Sequence, residues 1–476
     1  MGPKVGYGQN QQVSTFGGSW NLVPRNAPTL KFSTCGSVQK WSCLYIDMPS
    51  ANYPRVQHFS PQDLNHVVQN FHRVLQETGI AASAPLPFQR LQLDGTDDPQ
   101  LEDLFKRAAS SLQLLFIILP HTPIPLYNRI KILGDVKYGV HTICSVGSKV
   151  ANPKGQDQYL RNLALKFNLK LDGNNHLVDP SRLGFIAEDK TMIVGIDVTH
   201  PSPGSKNAPS VAGMVASVDR WLGQWPSVLS IQKGGKEMVT ELGIMLKSRL
   251  ELWRKRAKHT AYPENIIIYR DGVSEGQYQS VLDEELPQIR AACKDVYPPA
   301  DQKKGLPRLT IAVVGKRHHT RFYPTAAADA DNSGNTKPGT VVDRGVTEAR
   351  NWDFFLQAHT ALQGTARPGH YYVVLDEIFR QRYAKTPGKN IADEFQDLTQ
   401  SMCYIFGRAT KAVSYCTPAY YADILCERAR CYLSHLFDSP SNSAAPSVAE
   451  GMEGGHAASG QDVQIHERLK NSMFYI

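Results

Sequence analysis

The sequence predicts the α/β fold class, in two successive units. Strand-like and helix-like segments alternate from about Val38, the order that builds an open sheet of mostly parallel strands. Residues 171–190 interrupt this alternation with turn-forming residues such as Asp172-Gly173-Asn174 and Asp179-Pro180. A second α/β unit then starts at Met192 with an apolar strand. We therefore expect a domain junction between two separate sheets.

Hydrophobic spacing predicts each element of the first unit. Leu64, Val67, Val68, Phe71 and Leu75, for example, recur at the interval of one helix face. The predicted elements are, in order, a strand at residues 41–46, a helix at 61–78, a strand at 88–93, a helix at 100–111, a strand at 112–119, a helix at 126–138, a strand at 141–146 and a helix at 156–169.

Three stretches do not fit this pattern. Residues 1–37 are rich in Gly, Gln, Asn and Pro and are predicted to be a linker. Residues 326–340 and 438–461 are rich in Ala, Asp, Asn, Ser and Gly and are predicted to be loops.

Composition excludes several classes of protein. The 476 residues are 41% apolar and 20% charged, which suits two or three domains with substantial cores and excludes an intrinsically disordered or collagen-like chain. The longest apolar runs, such as residues 114–119, are too short to cross a bilayer, and the N-terminus lacks a secretory pattern. The 8 cysteines form no Cys-x-x-Cys pair, so we expect reduced thiols, no structural zinc and a cytoplasmic protein without a membrane partner.

Positive charge is concentrated in separate patches. The net charge is +8, and residues 121–170, 241–260 and 301–325 each carry a local excess of Lys and Arg. Such patches are compatible with an ordinary solvated surface. They also suit a polyanion that crosses several elements, as nucleic acid does.

Three apolar strand candidates end in an aspartate, at Asp197, Asp271 and Asp376. Carboxylates at the edge of a sheet can hold hard divalent cations, and two such cations catalyse phosphodiester cleavage. The alternative is that each aspartate caps a turn or a following helix.

Two pairs of residues in the first unit suggest an anion site. Tyr127 and Lys131 are four residues apart on one predicted helix, and Lys166 and Lys170 have the same spacing on another. Converging lysines bind a terminal phosphate, and an aromatic ring can stack on a base. On spacing alone, a solvated amphipathic face is the better explanation of each pair.

Longer motifs carry a family resemblance. The segments Asp197-Val-Thr-His200, Arg270-Asp-Gly-Val-Ser-Glu-Gly276, Lys316-Arg-His-His-Thr320 and Pro418-Ala-Tyr-Tyr-Ala422 resemble the PIWI domain of eukaryotic Argonaute proteins, most closely a filamentous-fungal quelling Argonaute. The resemblance implies a linker at 1–37, a Rossmann-like MID domain at 38–180 and an RNase H-like PIWI domain at 181–476. It leaves no counterpart for the N-terminal and PAZ domains of a full Argonaute.

The resemblance also implies a catalytic tetrad. Its members would be Asp197, Glu237, Asp271 and Asp423, of which the three aspartates would hold two Mg²⁺ or Mn²⁺ ions. Glu241, one helical turn beyond Glu237, is the rival for the second position. Asp376 has no counterpart in the tetrad and becomes a structural carboxylate. His200, His318 and His319 are then expected to contact the metal-binding side chains or the backbone, in mainly structural roles, since a metal mechanism needs no histidine base.

The same resemblance assigns the residues that bind the guide. The 5′-phosphate would be held by residues of both domains: Tyr127, Lys131, Thr142, Lys166, Lys170 and Arg428. Thr142 enters this set because Ile143 stands where relatives have Gln. Arg408, Ser414 and Tyr420 would contact the guide backbone, and the turn at residues 120–125 lies where relatives read the first base.

The leading hypothesis is therefore an endoribonuclease of RNA interference, directed by a 5′-phosphorylated small guide RNA against complementary target RNA. The alternative is a cleavage-inactive module that binds guide RNA and silences by recruiting proteins. Proteins with Gly-Trp repeats bind the PIWI surface of some relatives and are candidate partners, although Trp253 and its neighbours locate no pocket for them. An unguided RNase H-like nuclease is disfavoured by the predicted phosphate site.

Overall fold

The computed structural model describes residues 2–48, 59–122, 124–201, 208–437 and 460–476. The strands run in chain order as β1 (Lys4–Gly6), β2 (Gln12–Ser14), β3 (Ser37–Val38), β4 (Trp41–Asp47), β5 (Ala81–Ala82), β6 (Leu86–Gln92), β7 (Leu114–Leu119), β8 (His141–Val146), β9 (Leu177–Val178), β10 (Thr191–Thr199), β11 (Ser210–Ala216), β12 (Ser227–Gln232), β13 (Asn265–Asp271), β14 (Arg308–Gly315), β15 (Thr340–Val342), β16 (Asp353–Gln357) and β17 (Gly369–Asp376).

The α-helices are α1 (Pro61–Glu77), α2 (Pro99–Ser111), α3 (Ile124–Lys131), α4 (Gly147–Val150), α5 (Gln156–Lys170), α6 (Leu242–Arg256), α7 (Tyr278–Ser280), α8 (Leu286–Val296), α9 (Pro299–Lys304), α10 (Ile378–Tyr383), α11 (Ile391–Met402), α12 (Thr417–Tyr432) and α13 (Ser434–Phe437). Two π-helical segments, Ile132–Tyr138 and Val281–Glu285, continue α3 and precede α8.

A four-stranded parallel sheet forms the first unit, in the order β6-β4-β7-β8. Side chains of β7 alternate between its two faces, with Phe116 in the core that includes α1 and α5 and Ile117 in the core that includes α2 and α3. Helices therefore cover both faces, as expected for a parallel sheet. The predicted elements are all present, with ends within two residues of those expected.

An eight-stranded mixed sheet forms the second unit, in the order β12-β11-β10-β13-β14-β17-β16-β15. The three central strands β10, β13 and β14 are parallel, whereas β17 pairs antiparallel with β14. Helices α6 and α8 cover one face, and α12 packs across β10 and β11 on the other. The fold class predicted from the sequence is confirmed.

The predicted linker is not an isolated connection. Its strand β1 pairs with β2 and with β9, which lies in the predicted domain junction. The buried Trp20 donates its indole N–H to Tyr7 at 2.6 Å, and its backbone N–H to the carbonyl of Thr410 in the second unit. Residues 2–37 therefore pack against both units, and the predicted domain bounds remain predictions.

The predicted loop at 326–340 contains one short 3-10 turn, Ala327–Asp329. The loop predicted at 438–461 falls almost wholly outside the described residues, as does Pro123 of the turn before α3. None of the helices in the described ranges has the length and apolar character needed to span a membrane.

Candidate functional site

A cavity of about 220 Å³ lies where the two units meet. Helix α3 and strand β8 supply one wall, and α12 of the second unit supplies another. Five of the six residues predicted to bind the 5′-phosphate line it, namely Tyr127, Lys131, Thr142, Lys166 and Arg428. The sixth, Lys170, is buried beside them on α5.

Hydrogen bonds fix the cations of this cavity. Lys131 donates from Nζ to the hydroxyl of Thr142 at 2.7 Å and to its carbonyl at 3.1 Å. Arg428 reaches across from α12 and donates to the Tyr127 hydroxyl at 3.3 Å and to the Phe474 carbonyl at 3.1 Å. Lys170 donates to the same carbonyl. The two units are therefore joined by the residues that line the cavity.

One buried carboxylate balances part of this charge, and sequence analysis missed it. Asp135 lies in the π-helical segment after α3 and is fully buried. It accepts hydrogen bonds from Arg428 at 2.9 Å and from the Tyr432 hydroxyl at 2.8 Å. Burial acts to raise the pKa of Asp135, but the positive charges of Arg428, Lys131 and Lys170 outweigh it and hold the pKa below its usual value.

The cavity keeps an excess of positive charge. Burial, with repulsion from Arg408, Lys131 and Arg428, lowers the pKa of Lys166 to about 8. Burial and the charge of Arg428 likewise lower the pKa of Lys170 well below its usual value. An anion would relieve this repulsion, so the electrostatics favour a phosphate-sized ligand.

Ile143, which stands where relatives have Gln, is one of the residues that line the cavity. Its side chain is 3% exposed and lines the wall beside Cys144, where it offers no hydrogen bond. The neighbouring Thr142 hydroxyl, the suggested replacement, already accepts from Lys131. The Tyr127 ring lies 5.2 Å from the Lys131 ammonium and forms a cation–π contact.

The three residues predicted to contact the guide backbone lie in three different surroundings. Arg408 lines the cavity itself. Ser414 is hydrogen-bonded to Lys316, whose ammonium also lies 5.0 Å from the Tyr415 ring. Tyr420 stacks on Phe406 with ring centroids 4.8 Å apart.

A second site lies at the C-terminal ends of β10 and β13, two central strands of the eight-stranded sheet. We call this place the carboxylate edge. Ile196 pairs with Arg270 in the parallel strands β10 and β13, which places the next residues, Asp197 and Asp271, side by side. Asp423 comes from α12, which packs on β10, and its carboxylate accepts from the Tyr415 hydroxyl at 3.4 Å. Three predicted catalytic carboxylates therefore meet at one edge.

The Glu237 side chain lies beside these aspartates, whereas the Glu241 side chain does not. The Glu237 carboxylate accepts from Arg270 Nη1 at 2.9 Å and contacts His200 Nε2 at 2.8 Å. A Cβ added to Gly272 would lie 3.3 Å from both Asp197 Oδ1 and Glu237 Oε1, so the two carboxylates border the same point. Glu241 instead accepts from the Ser230 hydroxyl of β12 at 2.6 Å.

A buried network holds the Glu237 segment in place. Arg270, fully buried, also donates to the Glu237 carbonyl at 2.6 Å and to Glu285 Oε1 at 3.1 Å. The Glu285 carboxylate in turn accepts from the Val239 backbone N–H at 2.9 Å. The sequence pattern gave no sign that Arg270 and Glu285 have this positioning role.

The electrostatics of the carboxylates suit a cation. Burial, together with the charges of Asp423 and Glu237, raises the pKa of Asp197 to about 6. Burial and the neighbouring Asp197 and Asp423 raise the pKa of Asp271 well above its usual value. Carboxylate oxygens are the donors that Mg²⁺ and Mn²⁺ prefer, so the donor set fits these ions. Within the described ranges, no three His, Cys, Asp or Glu side chains form a ready-made metal site.

Asp376 lies away from this edge because β17 runs antiparallel to β14. Its register partner is Thr310 near the start of β14, whereas Asp271 pairs with Val314 near the end. The Asp376 carboxylate accepts from the Thr310 hydroxyl at 2.7 Å and from the backbone N–H groups of Phe379 and Arg380. It therefore caps the first turn of α10, as expected for a structural carboxylate.

Comparison with known proteins agrees with this architecture. The family model of the Piwi domain matches residues 114–434, about two-thirds of the chain. The chain belongs to the Argonaute family. It is 32% identical to the rice protein argonaute MEL1 and 32% identical to argonaute 5 of Arabidopsis thaliana, with 98% of the chain aligned in each case. It spans 44% and 45% of the length of these two relatives.

Solved structures of the family match all or nearly all of this chain. The MID-PIWI domains of N. crassa QDE-2 are 32% identical, with 93% of this chain and 98% of that one covered and a TM-score of 0.65. The C-terminal lobe of a budding yeast Argonaute is 25% identical, with coverages of 100% and 94% and a TM-score of 0.82. The fold is therefore that of an Argonaute MID-PIWI lobe, with an RNase H-like Piwi domain. We use the name MID domain for the four-stranded unit and PIWI domain for the eight-stranded unit.

Proposed function

We propose that this chain holds a small guide RNA by its 5′-phosphate and cleaves the complementary target RNA. The observation that carries the proposal is that one helix, α12, contributes to both sites. Asp423 faces the carboxylate edge of the PIWI domain, and Arg428, five residues later, enters the cavity shared with the MID domain. Five residues turn a helix by about 500°, so the two side chains point to different sites on a rigid element.

The cavity would hold the guide terminus through charge and hydrogen bonds. Lys131, Lys166 and Arg428 line it with donors that suit phosphate oxygens. The Tyr127 ring, beside Lys131, offers a face on which the first base can stack. A related structure, that of Kluyveromyces polysporus Argonaute, contains a guide RNA, at 26% identity and a TM-score of 0.81 over the whole of this chain.

The carboxylate edge would carry out hydrolysis. Asp197, Asp271 and Asp423 would hold Mg²⁺ or Mn²⁺, which supplies water activation and neutralisation of charge at the scissile phosphate. Glu237 borders the same point and is held by Arg270 and His200, which supports a role for it in orienting the attacking water.

Removal of the guide 5′-phosphate tests the binding half of the proposal. A hydroxyl-ended guide should bind much more weakly than a phosphorylated one, and Lys131→Ala should remove most of that difference. Lys131→Ala should also flatten the dependence of log K on log salt by about one unit, because one phosphate contact is lost. Lys137→Ala is the matched control, since this lysine lies on the next helical segment, half exposed and paired with Glu102. Equal affinity for both guides would contradict the proposal.

A further inference from the structure

A second cavity, of about 440 Å³, is lined in part by the C-terminal segment and is separate from the 5′-phosphate cavity. Strand β12, helix α6, Gly460 and residues 463–474 contribute its lining, and the two cavities share no residue among those that the structure describes. Phe474 lines the second cavity, whereas the following Tyr475 and Ile476 line the first. None of the residues assigned above to the guide or the target is among its lining residues.

An unpaired arginine lies in its wall. Arg249 of α6 is 7% exposed, and across the described part of the chain no carboxylate forms an ion pair with it. It donates from Nη1 to the Ser227 carbonyl at 3.0 Å and from Nε to the Ser248 hydroxyl at 3.2 Å. Burial and repulsion from Arg256 lower the pKa of Arg249 to about 10. A buried cation without a counter-ion is costly, so an anion here would stabilise the protein.

A second group in the same wall also lacks a partner. The Ser227 hydroxyl is buried and has no hydrogen bond among the described residues. The other cations of the lining are already compensated, because Lys255 lies 3.5 Å from Glu251 and Lys470 lies 2.7 Å from Glu467. The uncompensated charge of the described lining is therefore that of Arg249.

We propose that this second cavity is a binding site for a tetrahedral oxyanion of the phosphate class. The guanidinium presents N–H donors in a fork that matches such an anion, and the Ser227 hydroxyl adds a further donor. Apolar side chains, among them Val228, Leu252 and Phe474, line the rest of the cavity and leave room for an organic group attached to the phosphate. The site is independent of the guide 5′-phosphate site.

Crystals of the protein soaked in selenate test this directly, because the anomalous signal of selenium locates the anion. The expected result is a selenate peak within hydrogen-bond distance of the Arg249 guanidinium and the Ser227 hydroxyl. A soak that leaves no peak beside Arg249, at a selenate concentration that fills other sites of the molecule, would overturn the proposal.

Stoichiometry in solution provides the second readout. Calorimetric titration with inorganic phosphate should show one binding site fewer in Arg249→Met than in the wild type, whereas Arg249→Lys should keep the site with weaker affinity. Arg254→Met is the matched control, since Arg254 lies on the same helix, is exposed and stacks on Tyr262. An unchanged number of sites in Arg249→Met would refute the assignment. Tighter binding of phenyl phosphate than of inorganic phosphate would identify a phosphomonoester with an apolar group as the ligand, and equal binding would identify the free ion.

Discussion

Replacing Asp423 with Asn keeps the shape of the side chain and removes the charge that a divalent cation requires. We expect Asp423→Asn to lower target cleavage by orders of magnitude while guide binding is preserved, because Arg428 and the lysines of the cavity are untouched. Asp423→His should keep partial activity, since imidazole also binds divalent metals. Single-turnover cleavage assays on guide-loaded protein measure both effects.

Asp376 is the matched control for this prediction. Its carboxylate caps α10 and accepts from Thr310, at the opposite edge of the sheet from Asp271. Asp376→Asn should lower the free energy of unfolding by about 1 kcal/mol and leave the cleavage rate of the folded protein unchanged. Loss of cleavage in a well-folded Asp376→Asn variant, with activity kept in Asp423→Asn, would show that the tetrad is misassigned.

The lowered pKa of Lys166 predicts a pH dependence of guide binding. In the proposed site Lys166 would bind phosphate in its protonated form, and burial and its cationic neighbours lower its pKa to about 8 in the free protein. Bound phosphate favours the charged form and raises this pKa, so binding takes up a proton above about pH 8. Affinity for a phosphorylated guide should therefore fall as pH rises from 8 to 9.

Two controls isolate this effect. A hydroxyl-ended guide should show little change in affinity over the same pH range. Lys166→Arg should bind the phosphorylated guide with a flatter pH profile, because a guanidinium stays protonated. A wild-type affinity that is constant between pH 7 and pH 9.5 would contradict the assignment of Lys166 to the phosphate site.

Single residues differ in how far the sequence reveals them. The pairs Tyr127/Lys131 and Lys166/Lys170 could be nominated from helical spacing, because the two members of each pair share a helix face. Asp135 could not, since an aspartate beside Lys137 in a helical pattern is typical of a solvated face. Its role depends on Arg428 and Tyr432, about 300 residues away, and only the folded chain brings these groups together.

The π-helical segment after α3 and the helix α12 form the contact that joins the two domains. Asp135→Asn leaves Arg428 buried without its counter-ion, so we expect the free energy of unfolding to fall by about 3–5 kcal/mol. The 5′-phosphate should still bind the folded variant at least as tightly, because the cavity becomes more positive. Glu102→Gln is the control, since Glu102 bonds Lys137 and Tyr138 of the same segment at the surface, where ion pairs contribute about 0–1 kcal/mol.

Denaturant unfolding followed by guide-binding assays separates these two effects. A variant Asp135→Asn that keeps wild-type stability would show that Asp135 does not carry the contact between the domains. A loss of phosphate selectivity in the folded variant would show instead that Asp135 acts mainly by orienting Arg428.

The elements themselves were predictable to different degrees. The parallel sheet of the MID domain follows from alternating buried strands and amphipathic helices, and its elements lie within two residues of those expected. The antiparallel direction of β17 could not be predicted, because an apolar strand ending in Asp376 looks the same in either orientation. No sequence pattern predicts the change from α-helix to π-helix at Ile132, although Asp135 is buried in the π-helical segment.

Across the whole molecule, direct packing connects the two candidate sites. Helix α12 packs on β10 and β11 of the PIWI sheet and on α3 of the MID domain. Lys170 and Arg428, from different domains, donate to the same Phe474 carbonyl. The distance between the phosphate cavity and the carboxylate edge is therefore fixed by packing rather than by a flexible linker.

The position of cleavage is the most direct test of the proposed function. Because packing sets the distance between the two sites, it also sets the distance from the guide 5′ end to the bond that is cut. The protein, loaded with a 5′-phosphorylated guide and given Mg²⁺, should cut a matched RNA at a single bond counted from the guide 5′ end. A guide shifted by one nucleotide along the same target should move the cut by one nucleotide. Cleavage at sites that do not move with the guide 5′ end, or cleavage that persists in Asp197→Asn, would contradict the account.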